Sequence, residues 1–334
     1  MKLLRKILFP IVPVYYAITW LRNVCYDKGI YKSKNFDFPI ICVGNLSVGG
    51  TGKTPMIEYL IRLLTNEYKI ATLSRGYKRS TRGFQIADTT SNAETIGDEP
   101  YQFYKKFKDI TVCVDANRQQ GILKLQSLKN PDVILLDDAF QHRKVEAGLN
   151  ILLTSYSKLY IDDITLPTGD LREPKGGAKR ANIIVVTKCP EAITIEERES
   201  IKKRLKPKPN QEVFFSIIDY SKRIYSNKGS IDLSKLRLTN FTLVTGIANA
   251  TPLVNFLKDG NYKFEHLNFK DHHVFNNKDI ETLNKKELIV TTEKDFTKLR
   301  GRLSNTKLYY LPIETHVFEH EKFNNILLGF CAKH

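Results

Sequence analysis

The sequence has few cysteines and no cysteine pattern. Its five cysteines are scattered over 334 residues, and none forms a Cys-x-x-Cys pair. This excludes a disulfide scaffold and a zinc site built from cysteine pairs, and it fits a reducing compartment. Long hydrophobic runs are also missing: the 15 apolar residues 7–21 contain two prolines, whereas a membrane-spanning helix needs about 20 residues.

Negative charge is scarce as well. The chain has 36 Asp and Glu against 52 Lys and Arg, which gives a net charge of +16. A hydrophobic content of 42% excludes a disordered chain. The positive surplus predicts an anionic partner, and composition alone leaves nucleic acid, an anionic membrane and a phosphorylated substrate open.

The N-terminal segment, residues 1–34, combines positive charge with aromatic residues. It has seven Lys and Arg and a single acid, and Tyr15, Tyr16 and the only tryptophan, Trp20, lie on its apolar stretch. Such residues settle at the level of lipid headgroups. We expect peripheral contact with a membrane through residues 1–24. The alternative is a helix that packs its apolar face against the domain behind it.

The strongest motif follows the first apolar run, residues 40–44. A glycine-rich turn there ends in Gly-Lys-Thr, and a helical pattern follows it. Glycines let backbone N–H groups point at phosphate oxygens, and the helix N-terminus adds a positive dipole. Ser47 replaces the first glycine of the strict pattern. The predicted ATP-binding residues are Ser47, Val48, Gly49, Gly50, Thr51, Gly52, Lys53 and Thr54.

A nucleotide site of this kind also needs an acidic group for Mg²⁺ on a neighbouring strand. The apolar run 132–136 ends in Asp137-Asp138, so these carboxylates and the Thr54 hydroxyl are the predicted metal ligands. A solvated acidic turn is the alternative. Among the other polar groups, Arg75 opens a basic cluster and Arg118 follows a further strand. Asp98 either caps a helix or acts as a base.

Alternating strand-like and helix-like segments predict the α/β class, with a P-loop NTPase-like parallel sheet domain and a smaller α/β second domain joined by a two-stranded β linker. A cleft between the two lobes is expected. The predicted bounds are 1–34 for the membrane-associating segment, 35–212 for the P-loop domain, 213–239 for the β linker and 240–334 for the smaller domain with a C-terminal helix.

The motifs as a set resemble the tetraacyldisaccharide 4'-kinase (lipid A 4'-kinase) family of Gram-negative bacteria. The resemblance covers nearly the whole chain, and its motifs are VGNLSVGGTGKTP, LSRGYKR, GDEP, DANR, LLDDAFQHR, PTGDLREP, VVTK, DHH and TTEKD. It implies ATP- and Mg²⁺-dependent phosphorylation of the 4'-hydroxyl of a tetraacyldisaccharide 1-phosphate in lipid A biosynthesis. The expected location is the cytoplasmic face of the inner membrane, with no nucleic-acid partner.

The resemblance also implies roles for individual residues. Asp98 would be the general base and His272 its partner, although the motif leaves His272 and His273 open. The remaining implied roles are catalysis by Lys53 and Arg118 and substrate binding by Arg75, His142 and Glu173.

Two other functions compete with this interpretation. A membrane-targeted partitioning ATPase would carry an extra lysine in its loop, where this chain has Val48. A nucleic-acid-stimulated ATPase is suggested only by the charge, since the sequence contains no recognition helix, zinc finger or aromatic RNA-binding motif.

Overall fold

The computed structural model describes residue 5 and residues 7–271, 273–304 and 307–333. It divides into two compact units, of which the second comprises Asp219–Glu314 and the first comprises the chain up to Ile218 and from Thr315 onward. The second unit is therefore inserted in the sequence of the first.

The helices and strands are numbered along the chain. The α-helices are Val12–Asp27 (α1), Lys53–Leu64 (α2), Ala93–Ile96 (α3), Asp98–Lys106 (α4), Arg118–Lys129 (α5), Ile195–Leu205 (α6), Thr251–Asp259 (α7), Asn277–Leu283 (α8), Glu293–Leu299 (α9) and His320–Cys331 (α10). The strands are Ile40–Asn45 (β1), Ile70–Ser74 (β2), Gln85–Ile86 (β3), Thr111–Val114 (β4), Val133–Asp137 (β5), Leu149–Ser155 (β6), Ile183–Thr187 (β7), Glu212–Tyr220 (β8), Arg223–Ser226 (β9), Gly229–Asp232 (β10), Phe241–Thr245 (β11), Phe264–Asn268 (β12), Leu288–Thr291 (β13), Lys307–Tyr310 (β14) and Ile313–Val317 (β15).

A nine-stranded sheet forms the first unit, in the order β15-β8-β7-β6-β1-β5-β2-β4-β3. Seven adjacent strands from β8 to β4 pair in parallel. Every residue of β1 is buried, and the strand sends Ile40 and Cys42 into the core on one face and Ile41 and Val43 into the core on the other. Burial on both faces explains the uninterrupted apolar runs of the sequence. The predicted α/β fold with a parallel sheet is confirmed.

The second unit is built on a six-stranded sheet in the order β10-β9-β14-β13-β11-β12. The strands β14, β13, β11 and β12 are parallel, and β9 pairs antiparallel with both β10 and β14. Leu243, Leu257 and Val290 lie in its core and are completely buried.

The unit boundaries differ from the predicted ones at two places. Strand β8 occupies most of the first half of the predicted linker, yet it extends the large sheet beside β7. Helix α10 was expected in the second domain, but Phe323, Leu327 and Cys331 enter the core of the first unit. The Phe323 ring lies 5.1 Å from that of Phe214 in an edge-to-face contact. The helix joins the larger unit because its apolar face is buried there.

Helix α1 has only one buried residue, Asn23. Most of its large apolar side chains are exposed, as are those of the 3₁₀ turn Phe9–Ile11 before it. Within the part of the chain that the structure describes, no helix has both the length and the apolar character needed to cross a bilayer. The exposed members of the two elements are Phe9, Ile11, Val14, Tyr16, Ile18, Trp20 and Leu21.

Candidate active site

The glycine-rich loop connects β1 to α2. Gly49 and Gly52 have φ angles of 111° and 87°, which are accessible to glycine and strained for other residues. Gly52 occupies the N-cap position of α2, and Lys53 is the first residue of the helix. The loop therefore brings the positive end of a helix dipole and the Lys53 side chain to the carboxyl edge of the parallel sheet, where α/β proteins bind phosphates.

The first part of the loop is held by a neighbouring segment, residues 169–173. The backbone N–H of Val48 donates to the carbonyl oxygen of Asp170 at 2.7 Å, and Ser47 forms an antiparallel bridge with Leu171. Val48 was predicted to bind ATP, but its N–H group is already used within the protein. The N–H group of Thr51 is also used within the protein, since it donates to the carbonyl oxygen of Gly49 at 3.1 Å.

The acidic pair lies beside this loop because β5 is the parallel neighbour of β1, with Asp137 opposite Val43. Lys53 Nζ lies 3.7 Å from Asp138 Oδ1, and Arg172 Nη1 donates to the same oxygen at 2.8 Å. The structure thus brings the predicted lysine and both predicted carboxylates together. Arg172 was not predicted as a site residue; its place beside Glu173 in the PTGDLREP motif was the available signal.

The two carboxylates differ in their electrostatics. Burial and the neighbouring charge of Asp138 raise the pKa of Asp137 to about 7, although Lys53 opposes the shift. Burial also acts to raise the pKa of Asp138, but Lys53 and Arg172 outweigh it and hold that pKa below its ordinary value. A buried carboxylate that resists ionisation favours a bound cation.

The donor set suits Mg²⁺. Mg²⁺ prefers oxygen ligands and is usually held by one or two carboxylates together with substrate phosphates, and Asp137, Asp138 and the Thr54 hydroxyl supply such oxygens. Among the described residues no group of three or more His, Cys, Asp and Glu is arranged to hold a metal ion.

The raised pKa of Asp137 predicts a pH-dependent stability. At pH 8 the folded protein without nucleotide carries a buried charge, whereas near pH 5 that carboxyl is largely protonated. We expect Asp137→Asn to raise the melting temperature at pH 8, by about 2–4 °C per kcal/mol gained, and to raise it less as the pH falls to 5. Calorimetry at several pH values measures this gain.

Asp138→Asn is the matched control for this experiment. Since the pKa of Asp138 is lowered in the folded protein, its ionised form stabilises the fold at neutral pH, and the variant should melt at a lower temperature at pH 8. Equal effects of the two variants across the pH range would contradict the assignment.

Two of the predicted cationic residues follow strands at the same edge of the sheet. Arg118 follows β4 and is 2% exposed; its Nη1 donates to the carbonyl oxygen of Asp115 at 2.9 Å, and burial lowers its pKa. Arg118 Nε has no hydrogen-bond partner among the described residues. Arg75 follows β2 and is exposed. Both placements suit residues that meet an anionic ligand.

His142 lies just after the acidic pair. Burial and the positive charges of Arg118, Lys144, Arg22 and Arg75 lower its pKa to about 4, so it is neutral at physiological pH. Its buried Nε2 has no partner among the described residues. A neutral imidazole is a hydrogen-bonding group rather than a countercharge for phosphate.

Asp98 is the first residue of α4, and the N-cap position of that helix is occupied by Gly97. Asp98 is therefore not the capping residue that one sequence interpretation proposed. His272, its expected partner, lies outside the described residues. The alternative candidate, His273, is hydrogen-bonded through Nε2 to Asp279 at 2.8 Å, within the second unit.

Glu173 differs most from its predicted role. It was expected to bind substrate, but it is 1% exposed and both carboxylate oxygens have protein partners. Oε1 accepts from Gln141 at 3.0 Å and from Arg180 at 2.8 Å, and Oε2 accepts from Asn23 at 2.6 Å. The buried Glu173 carboxylate thus accepts hydrogen bonds both from helix α1, through Asn23, and from the segment after the acidic pair, through Gln141.

A strand, a glycine-rich turn and a helix that begins with Lys-Thr, beside an acidic strand end, define the class of P-loop nucleotide-binding proteins. The family model for tetraacyldisaccharide-1-P 4'-kinase matches residues 4–332 of the chain. The chain belongs to this family, and it is an ATP-dependent kinase. The resemblance found in the sequence is confirmed.

Individual relatives agree with the family model. A tetraacyldisaccharide 4'-kinase of Flavobacterium johnsoniae is 53% identical over 326 residues, covering 96% of this chain and 95% of that protein. One of Bacteroides thetaiotaomicron is 44% identical over 357 residues, covering 99% of this chain and 94% of that protein. The crystal structure of LpxK from Aquifex aeolicus in complex with ATP matches with a TM-score of 0.80 and 30% identity, over 98% of this chain and 99% of that chain.

Proposed function

We propose that the described site transfers the γ-phosphate of ATP to the 4'-hydroxyl of a tetraacyldisaccharide 1-phosphate, a step in lipid A synthesis. The observation that supports it most is that Lys53, at the end of the glycine-rich loop, lies beside the acidic pair. Its Nζ is 3.7 Å from Asp138 Oδ1. This arrangement suits phosphoryl transfer from a nucleotide, and membership of the kinase family supplies the acceptor.

Toward the phosphates of ATP, the protein acts by positioning them and neutralising their charge. In this proposal the backbone N–H groups of Gly49, Gly50, Gly52, Lys53 and Thr54 hold the phosphates, and the Lys53 side chain reaches the β- and γ-phosphates. Asp137, Asp138 and Thr54 would hold Mg²⁺, which supplies further positive charge to the phosphate oxygens. Arg118 and Arg75 face the anionic groups from the neighbouring strand ends.

The acceptor side needs a base. The 4'-oxygen bonds to the γ-phosphorus, the bond from that phosphorus to the β–γ bridging oxygen breaks, and ADP leaves with the electron pair. We propose that Asp98 accepts the proton of the hydroxyl. Since a sugar hydroxyl is far less acidic than a carboxylic acid, the proton moves late, once the new bond is largely formed. The pairing of Asp98 with His272 remains a proposal from the motif.

A phosphotransfer assay tests the proposed reaction. The protein, ATP, Mg²⁺ and tetraacyldisaccharide 1-phosphate in mixed micelles should yield the 4'-phosphorylated lipid and an equal amount of ADP. A protein that binds ATP but forms no phosphorylated lipid would contradict the proposal. Release of ADP without a lipid product would instead indicate an ATPase.

We propose further that the protein contacts the cytoplasmic face of the inner membrane through the 3₁₀ turn and α1. The support is the exposure of their apolar side chains, with Ile18 63% and Trp20 50% exposed. Of the basic residues expected to meet lipid, Arg5 pairs with Asp170 at 2.8 Å and is thus directed at the protein, whereas Lys28 is exposed. The apolar face therefore carries more of the proposed contact than was expected.

Ile18→Glu tests this contact. Burying one Ile side chain contributes about 1.5–3 kcal/mol, so we expect the variant to bind anionic vesicles roughly 10- to 100-fold more weakly in a co-sedimentation assay. Leu128→Glu is the matched control, because Leu128 is an exposed helical residue of similar exposure, 61%, on α5. Equal losses in both variants would show that the effect is charge alone.

A further inference from the structure

One face of α1 is hydrogen-bonded to two segments: Gln141, which follows the acidic pair, and Arg172-Glu173. The Tyr15 hydroxyl donates to the carbonyl oxygen of Arg172 at 2.9 Å, and Asn23 Nδ2 donates to Glu173 Oε2 at 2.6 Å. In the other segment, the carbonyl oxygen of Gln141 accepts from Arg22 Nη2 at 2.6 Å. The helix that presents apolar residues to the exterior is thus bonded at its opposite face to residues 141 and 172–173.

Those residues lead directly to the nucleotide site by two routes. The first is short: the Arg172 side chain donates to Asp138 at 2.8 Å. The second runs through side chains: Gln141 Nε2 donates both to Glu173 and, at 2.8 Å, to the carbonyl oxygen of Asn45. Asn45 Nδ2 in turn donates to the hydroxyl of Thr51 at 2.7 Å, within the glycine-rich loop.

These contacts go beyond what a membrane anchor needs. Asn23 and Glu173 are 8% and 1% exposed, and a polar pair buried at this depth is costly unless its bonds are made. A helix held only by lipid and by apolar packing would not require a buried amide opposite a buried carboxylate. The bonds instead fix the main chain at Arg172 and Gln141 and the carboxylate of Glu173.

We propose that Tyr15 and Asn23 are positioning residues of the nucleotide site. They hold Arg172 and Glu173, and through them they set the positions of Asp138 and the glycine-rich loop. Neither residue touches the substrate or the phosphates. For its kinetic readout the inference rests on the proposed function.

The test uses the full-length chain with three variants. Tyr15→Phe removes a single oxygen, Asn23→Leu removes the buried amide at similar volume, and Tyr31→Phe is the matched control, since Tyr31 lies after α1 and is 50% exposed. The first readout is the affinity for a fluorescent ATP analogue with Mg²⁺, without lipid. We expect each of the first two variants to bind about fivefold more weakly, the usual value of one hydrogen bond, and the control to bind like the wild type.

The second readout separates positioning from anchoring. In the micellar assay, positioning predicts that kcat falls about fivefold while KM for the lipid acceptor stays the same, with unchanged Trp20 emission showing that α1 remains seated. A rise in KM for the lipid alone, or unchanged nucleotide affinity and kcat, would overturn the inference. If Asn23→Leu does not fold, Tyr15→Phe decides. If the wild type phosphorylates no lipid, the proposed function fails, and the nucleotide titration still decides the positioning role.

Discussion

Replacing Asp98 with asparagine should lower kcat by about 10²–10⁴-fold, the usual contribution of a positioned acid–base group. The amide keeps the shape of the carboxyl group but cannot take the proton of the acceptor hydroxyl. Because Asp98 is proposed to act on the acceptor hydroxyl and not on the nucleotide, the affinity for ATP should change little. Phosphotransfer and nucleotide binding are measured on the same preparation.

Glu99→Gln is the matched control for Asp98→Asn. It removes the next carboxylate of the same helical turn, so it shares any effect on the helix dipole, which is worth about 0.3–1 kcal/mol. We expect kcat of this variant to stay within about fivefold of the wild type, as the upper end of that range allows. Similar losses in both variants would contradict the assignment of Asp98 as the base.

Lys53→Met should lower kcat by about 10²–10³-fold, as expected when one preorganised charge is removed from a site of developing negative charge. It should also weaken nucleotide binding, because Lys53 is proposed to reach the phosphates and also pairs with Asp138. In the variant, Arg172 would still donate to that carboxylate. The Mg²⁺ concentration at which nucleotide binding is half-maximal should therefore change. Nucleotide titrations at several Mg²⁺ concentrations measure this.

Lys53→Arg serves as the control, since it keeps the charge but replaces a compact ammonium group with a planar guanidinium. Activity between that of the wild type and Lys53→Met is the expected result. If Lys53→Met retained full activity, Lys53 would be a structural partner of Asp138 and nothing more.

The nucleotide site was predictable because its polar residues directly follow apolar strands in the sequence. An apolar run followed by glycines and Gly-Lys-Thr fixes both the strand and the loop. Parallel pairing then brings Asp137 and Asp138 to the same edge, since β5 lies next to β1. The fold class followed from the same alternation of buried strands and helices.

What the sequence did not predict depends on contacts between distant residues. Glu173 looks like any exposed loop acid until Asn23, Gln141 and Arg180 converge on it. Val48 looks like part of a phosphate cradle until the carbonyl oxygen of Asp170 takes its N–H. Helix α10 follows the second unit in sequence, and only its burial against Phe214 assigns it to the first.

The position of α10 has a consequence for the order of synthesis. The core of the first unit contains Phe323 and Leu327, which leave the ribosome after the whole of the second unit. Until then Phe214 and Tyr59 lack the ring that packs against them, and β8 lacks its neighbour β15. The inserted unit has its own core and can fold while the kinase sheet is still incomplete. The segment proposed to meet the membrane is therefore synthesised before the strand and helix that complete the large sheet and its core.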